Sequence, residues 1–149
     1  MSKNQPEFEL QRQVCRWISL QHPKVLYLSD TIASVKLTLP QQGRNKLIQK
    51  DNFKTPDLLI FEPRGCYSGL FIELKAESPF KKDGSLLKNG HLEGQQKTIS
   101  DLIERGYFAC FSWSFEMTIR IINKYLSIPK PSKSSNEDAR DAAMLVVGL

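Results

Sequence analysis

The chain has 149 residues, 40% hydrophobic and 25% charged, with a net charge of +5 and a pI near 9.2. That is one domain's worth of chain with enough apolar material for a core, and its composition excludes a disordered protein. Three widely separated cysteines and two scattered histidines exclude a disulfide framework and offer no zinc-ligand spacing. With no leader and no apolar run near about 18 residues, the expected setting is the cytoplasm, without a membrane partner.

The first element is a helix. In EFELQRQVCRWISL, the residues Leu10, Val14, Trp17 and Ile18 recur at the spacing of one helix face. Pro6 suits its first turn and His22-Pro23 ends it. KVLYLS reads as a short strand. Residues 30 to 55 form a polar connection with no firm assignment, in which a short helix around Arg44 to Lys50 is one option. This connection holds much of the basic surplus: Lys36, Arg44, Lys46, Lys50 and Lys54 stand against Asp51 alone. Such a segment is either a solvated loop or one that contacts phosphates.

LLIF and GLFIELK follow as strands joined by EPRGCYS, whose Pro63, Arg64 and Gly65 supply turn chemistry. Their closeness in the chain argues an antiparallel hairpin. SPFKKDGSLLKNG is a loop, with His91 read as its exposed end. HLEGQQKTISDLIERG is helical, with Leu92, Ile99, Leu102 and Ile103 facing inward and Gly106 as its stop. YFACF is a further strand, and SFEMTIRIINKYL a further helix with Phe115, Ile119, Ile122 and Leu126 in phase. The domain is expected to span residues 1–126, with 127–149 a Pro/Ser linker and a short terminal helix or tail. The order implies an α/β fold, a mixed sheet flanked by helices on both faces.

Each hairpin strand carries a carboxylate at the edge of a strongly apolar run: Asp57 opens the first, and Glu73 closes the second, two residues before Lys75. A carboxylate in a buried strand must be paired, protonated or bound to a cation. Strand alternation puts Phe71, Glu73 and Lys75 on one face, opposite to Leu70, Ile72 and Leu74. Pairing Glu62 with Gly69 brings Asp57 opposite Leu74, and a slip of one residue brings it opposite Glu73 or Lys75. Two carboxylates and a lysine then meet at one end of a sheet. That grouping suits metal-assisted phosphodiester hydrolysis: Asp57, Glu73 and the Leu74 carbonyl offer hard oxygen ligands to Mg²⁺ or Mn²⁺, and Lys75 orients the attacking water. The plain alternative is an exposed strand face with an i, i+2 ion pair and a turn aspartate after Pro56.

The pattern PD followed by ExK resembles the PD-(D/E)xK nuclease superfamily, and within it the virus-type replication-repair nuclease (VRR-NUC) domain. YSGLFIELKAE (67–77), GQQ (94–96) leading to LIERGYFACF, and FEMTIRIINKYL carry the likeness, which runs from about Glu7 to Leu126. TPD departs from the family, which more often has a glycine near the PD. The resemblance implies a restriction-endonuclease-like α/β/α core and a Mg²⁺-dependent endonuclease of phage or prophage origin. It also implies branched DNA such as four-way junctions as substrate, and a homodimer. A monomeric flap- or end-processing nuclease and a non-cleaving DNA-binding module are the rival readings. Family members also use a first-helix glutamate, for which Glu7 and Glu9 compete. Glu7 shares the face of Leu10 and Val14, with Gln11 placed to brace it, whereas Glu9 falls with Gln13 and Arg16. The family's helical glutamine is Gln95 or Gln96, and the phase of Ile99 and Leu102 favours Gln95. Lys81, Lys82 and Lys88, with the basic connection, are candidate DNA-backbone contacts.

Overall fold

A computed structural model describes residues 5–29 and 37–132. Lys36 and the tail from 133 to 149 lie outside the described residues. The elements in chain order are α1 (Pro6–Gln21), β1 (Tyr27–Ser29), α2 (Leu39–Ile48), β2 (Leu58–Ile60), β3 (Leu70–Leu74), α3 (Gly90–Glu104), β4 (Phe108–Ser112) and α4 (Phe115–Ser127). The four strands form one sheet in the order β1-β2-β3-β4. β1–β2 and β2–β3 are antiparallel, while β3–β4 is parallel and is connected through α3.

Side-chain alternation along β3 divides the core in two. Leu70, Ile72 and Leu74 join Leu58, Ile60 and the inner faces of α1 (Leu10, Val14, Ile18) and α4 (Ile122, Tyr125) in one cluster. Phe71 looks the other way, into a second cluster with Ile99 and Leu102 of α3 and Ala109 and Phe111 of β4. The result is the α/β arrangement expected from sequence, with helices on both faces of a mixed sheet. Gly106, with φ +84°, ends the α3 turn in the left-handed region, where a residue without Cβ is unstrained.

Several local expectations need correction. The connection after β1 contains a full helix, α2, which starts well before Arg44 and buries no residue. Thr38 and Gln41 close a capping box at its start, a local device that works without a core. In α3 the buried positions are Gln95, Thr98, Ile99 and Leu102, while Ile103 is 53% exposed. The inward face is displaced from the one the apolar residues alone suggest, because Gln95 and Thr98 are buried with partners on Glu73 and the Lys54 backbone. His91 is in the first turn of α3 rather than in the preceding loop.

The hairpin register also differs from a Glu62–Gly69 pairing. The ladder matches Leu58 with Ile72, Leu59 with Phe71 and Ile60 with Leu70. At the turn, Arg64 pairs with Tyr67. Four steps separate Ile60 from Arg64 but three separate Tyr67 from Leu70, so the first strand holds one extra residue, in the manner of a bulge. Pro63, which has no N–H to give a ladder, lies in that stretch. Continuing the ladder past Leu58 sets Asp57 level with Glu73.

Candidate active site

Asp57 stands at the mouth of β2 and is held from both sides. Its backbone carbonyl accepts the Ser29 hydroxyl at 3.0 Å and the Gln11 amide at 3.3 Å, and Gln11 also donates to Ser29 Oγ at 2.7 Å. Its carboxylate Oδ2 accepts the backbone N–H of Leu74 at 2.8 Å. The side chain is thereby fixed against the end of β3, next to Glu73. Gln11, placed by sequence as a brace for Glu7, thus donates to the Asp57 backbone.

Glu73 is 4% exposed on the α3 face of the sheet. Its Oε1 accepts Lys75 Nζ at 2.9 Å and the buried Gln95 amide from α3. Gln95, not Gln96, is therefore the glutamine at this site. Gln95 Oε1 is itself buried and makes no hydrogen bond. Thr98, one turn along α3, accepts the backbone N–H of Lys54 at 3.0 Å. This ties the chain entering β2 to α3 and keeps both carboxylates at one end of the sheet.

Charge and burial act together on this pair. Burial raises the Asp57 carboxyl above its ordinary value, with the Leu74 N–H and the Lys75 charge opposing. Burial and then the neighbouring Asp57 charge push Glu73 further, up to about 7, despite Lys75. Two carboxylates that repel each other, one buried and one half-buried, form a site that favours a proton or a cation. Glu7 reaches this end from the opposite face, where the start of α1 passes β3. Its Oε1 accepts the backbone N–H of Ala76 at 3.4 Å, and its charge raises both acids. Glu9 instead pairs with Arg12 at 2.6 Å on the surface.

These groups open into a cleft of about 720 Å³. Glu7, Asp57, Glu73, Lys75 and Gln95 line it. α2 and the segment after it also contribute to the lining, including Lys46, Lys50 and Lys54. Arg44, Lys81, Lys82 and Lys88 are exposed but do not line the cleft. His91, Gln42, Asn45, Gln49 and Phe53 do. Apart from His91, set aside as an exposed loop residue, none of these was singled out from sequence.

A divalent cation suits the donors here. The acids supply hard oxygen ligands whose mutual repulsion it would relieve, and the orphaned Gln95 oxygen leaves polar capacity beside them. Among the described residues no three His, Cys, Asp or Glu side chains gather for an ion. Also among the described residues, no helix is long and apolar enough to cross a membrane.

No protein-family model matches the chain, and no curated protein does. Among solved structures, one described as a "VRR_NUC domain protein" aligns with a TM-score of 0.59 and 23% identity, over 86% of this chain and 93% of that one. At that identity the likeness establishes the fold: this chain has the restriction-endonuclease-like α/β architecture of that VRR_NUC domain protein.

Proposed function

We propose that the chain is a VRR-NUC-type nuclease that hydrolyses DNA phosphodiester bonds with Mg²⁺ or Mn²⁺ held by Asp57, Glu73 and the backbone carbonyl of Leu74. The observation that carries this reading is the meeting of Asp57, Glu73, Lys75 and Gln95 at one end of a sheet, with Glu73 buried, Asp57 half-buried and both acids raised by desolvation. A structural ion pair needs one acid and one base, and gains nothing from a second, half-buried carboxylate beside it.

The ion, when bound, polarises the phosphate and makes its water more acidic. The protein's own contribution is to place groups. Leu74 N–H and the Ser29–Gln11 brace fix Asp57. Lys75, anchored on Glu73, presents an ammonium that orients the attacking water and offsets charge developing on the phosphate. Gln95 restrains the Glu73 carboxylate, and Glu7 adds a carboxylate at the outer edge of the cleft. Lys46, Lys50 and Lys54 line the same cleft and supply backbone contacts for a polyanion. Branched DNA as substrate, a homodimer with two such sites, and phage or prophage origin rest on the family resemblance.

The test is incubation of the purified protein with four-way junction, flap, duplex and single-stranded DNA, with Mg²⁺, Mn²⁺ or EDTA. Cleavage with either ion and none with EDTA is expected, with the junction cut fastest. Preferential flap cutting by a monomer would support the end-processing alternative. DNA binding without any cleavage would leave a non-cleaving binding module instead.

A further inference from the structure

α2 is an odd helix for a small domain. It buries nothing, and Leu39, Leu47 and Ile48 are 82%, 86% and 82% exposed. Its order lies on the other side. Gln42, Asn45, Lys46 and Gln49, spaced i, i+3, i+4 and i+7, all line the catalytic cleft. A helix stabilised by its core would turn its leucines inward; this one has Gln42, Asn45 and Lys46, with Gln49 just past its last turn as the C-cap, lining the same cleft as the carboxylates. Arg44 belongs to the opposite face by the same periodicity, in keeping with its place outside the cleft lining.

The way α2 is carried holds that stripe over the cleft. The chain leaves it through a turn with Asn52 at φ 60°. It is then pinned to α3 by the Lys54 N–H bond to Thr98, and the Lys54 side chain lies across the helix at Gly94, where an added Cβ would meet it at 3.6 Å. Gln42 is braced by donating its amide to the Leu37 carbonyl at 2.9 Å. Asn45 and Gln49, one turn apart, flank Lys46 along the stripe.

Lysines and carboxamides do different things to a nucleic acid. A lysine contacts phosphate and carries no sequence information, whereas the donor–acceptor pair of Asn or Gln matches base edges, adenine above all. We propose that Asn45 and Gln49 contact base edges of DNA lying in the cleft, with Lys46 on the intervening phosphate, so that α2 gives this protein a sequence-context preference beside the scissile bond. The choice of DNA as occupant rests on the nuclease reading and on the lysine-lined wall of the cleft. The base-reading role rests on the carboxamide stripe itself.

Affinity selection from a randomised duplex library in EDTA tests the role without requiring cleavage. The wild-type protein should enrich particular base steps, and one carboxamide–base pair is worth on the order of tenfold. N45A/Q49A should lose that bias while binding the unselected pool nearly as well. K46A should weaken binding evenly across sequences and lower the salt slope by about 1. Because α2 buries no residue, these variants should melt like the wild type. An unbiased wild-type selection, or a bias that persists in N45A/Q49A, overturns the inference. A biased wild type that never cuts DNA leaves the inference standing and removes the nuclease reading.

Discussion

Asp57 Oδ2 and the backbone N–H of Leu74 are joined at 2.8 Å, so the carboxylate from one strand is fastened to the strand that carries Glu73. The acids are thus brought together by main-chain geometry rather than by a balancing charge. Replacing Asp57 with Asn keeps an acceptor for that N–H and removes the charge. Cleavage should fall by at least about 10², the scale for loss of a group acting in the transition state. The rise in melting temperature on adding Mn²⁺ should vanish with it. Undiminished cleavage in Asp57→Asn would remove this residue from the site.

The second expectation concerns pH. Glu73 titrates at about 7 in the fold, against an ordinary value of 4.5. A raised acid stabilises the folded state fully below its unfolded value and loses that contribution as pH climbs through the folded one. The metal-free protein should therefore lose stability between about pH 5 and pH 8, by up to about 3 kcal/mol from this group. Asp57 shifts in the same direction. Thermal melts in EDTA should show the decline, and Glu73→Gln should flatten it. Divalent ion should restore the wild type at the alkaline end. An identical decline in Glu73→Gln would assign the effect elsewhere.

Much of this was legible in sequence, for identifiable reasons. LLIF and GLFIELK announce buried strands because a run of apolar residues has little other use, and Asp57, Glu73 and Lys75 stand out against them. The phase of α1 depends on Leu10, Val14 and Ile18, and these are the buried residues. The register was legible only to within one residue: the slip that sets Asp57 level with Glu73 was one of the options, and the extra residue between Ile60 and Arg64 that selects it has no mark except Pro63. α2 was not legible: its order comes from a capping box and a polar stripe, which hydrophobic periodicity does not register. Ser29 and Thr98 act through single hydroxyl contacts with distant backbone, which only the fold brings near.

Gly69 tests the hairpin. A Cβ there would lie 2.8 Å from the Ile60 carbonyl oxygen, a backbone atom that cannot turn aside. Gly69→Ala should cost about 1–3 kcal/mol, as overpacking does, measured by denaturant unfolding. Because the strain falls at the end of β3 away from the acids, cleavage per folded molecule should be largely kept. Wild-type stability in this variant would show that β2 and β3 can separate freely there.

Lys75 holds Glu73 at 2.9 Å and lines the cleft. Lys75→Ala should lower the cleavage rate by about 10² to 10⁴. Affinity for DNA should change little, since one lysine is a small share of a contact with many phosphates. Single-turnover rates and a binding titration at fixed salt separate the two. Parallel loss of affinity and rate would make Lys75 a binding residue.

The two glutamates of the first helix give the last test. Glu7 and Glu9 are both first-turn acids, so the helix dipole favours each alike. Their surroundings differ. Glu7 lines the cleft and accepts the Ala76 N–H just beyond Lys75, whereas Glu9 is taken up by Arg12 and Gln13 on the surface. α1 packs on the face of the sheet opposite to Glu73, so only its first turn, passing the end of β3, comes within reach of the acids. Glu7→Gln should therefore reduce cleavage by about 10-fold or more, since a peripheral carboxylate supports charge or water rather than forming the centre. Stability should be nearly unchanged. Glu9→Gln should leave both rate and melting temperature close to wild type, the usual result at an exposed position. If Glu9→Gln instead impairs cleavage and Glu7→Gln does not, the start of α1 does not serve the site in the way its contact with Ala76 indicates.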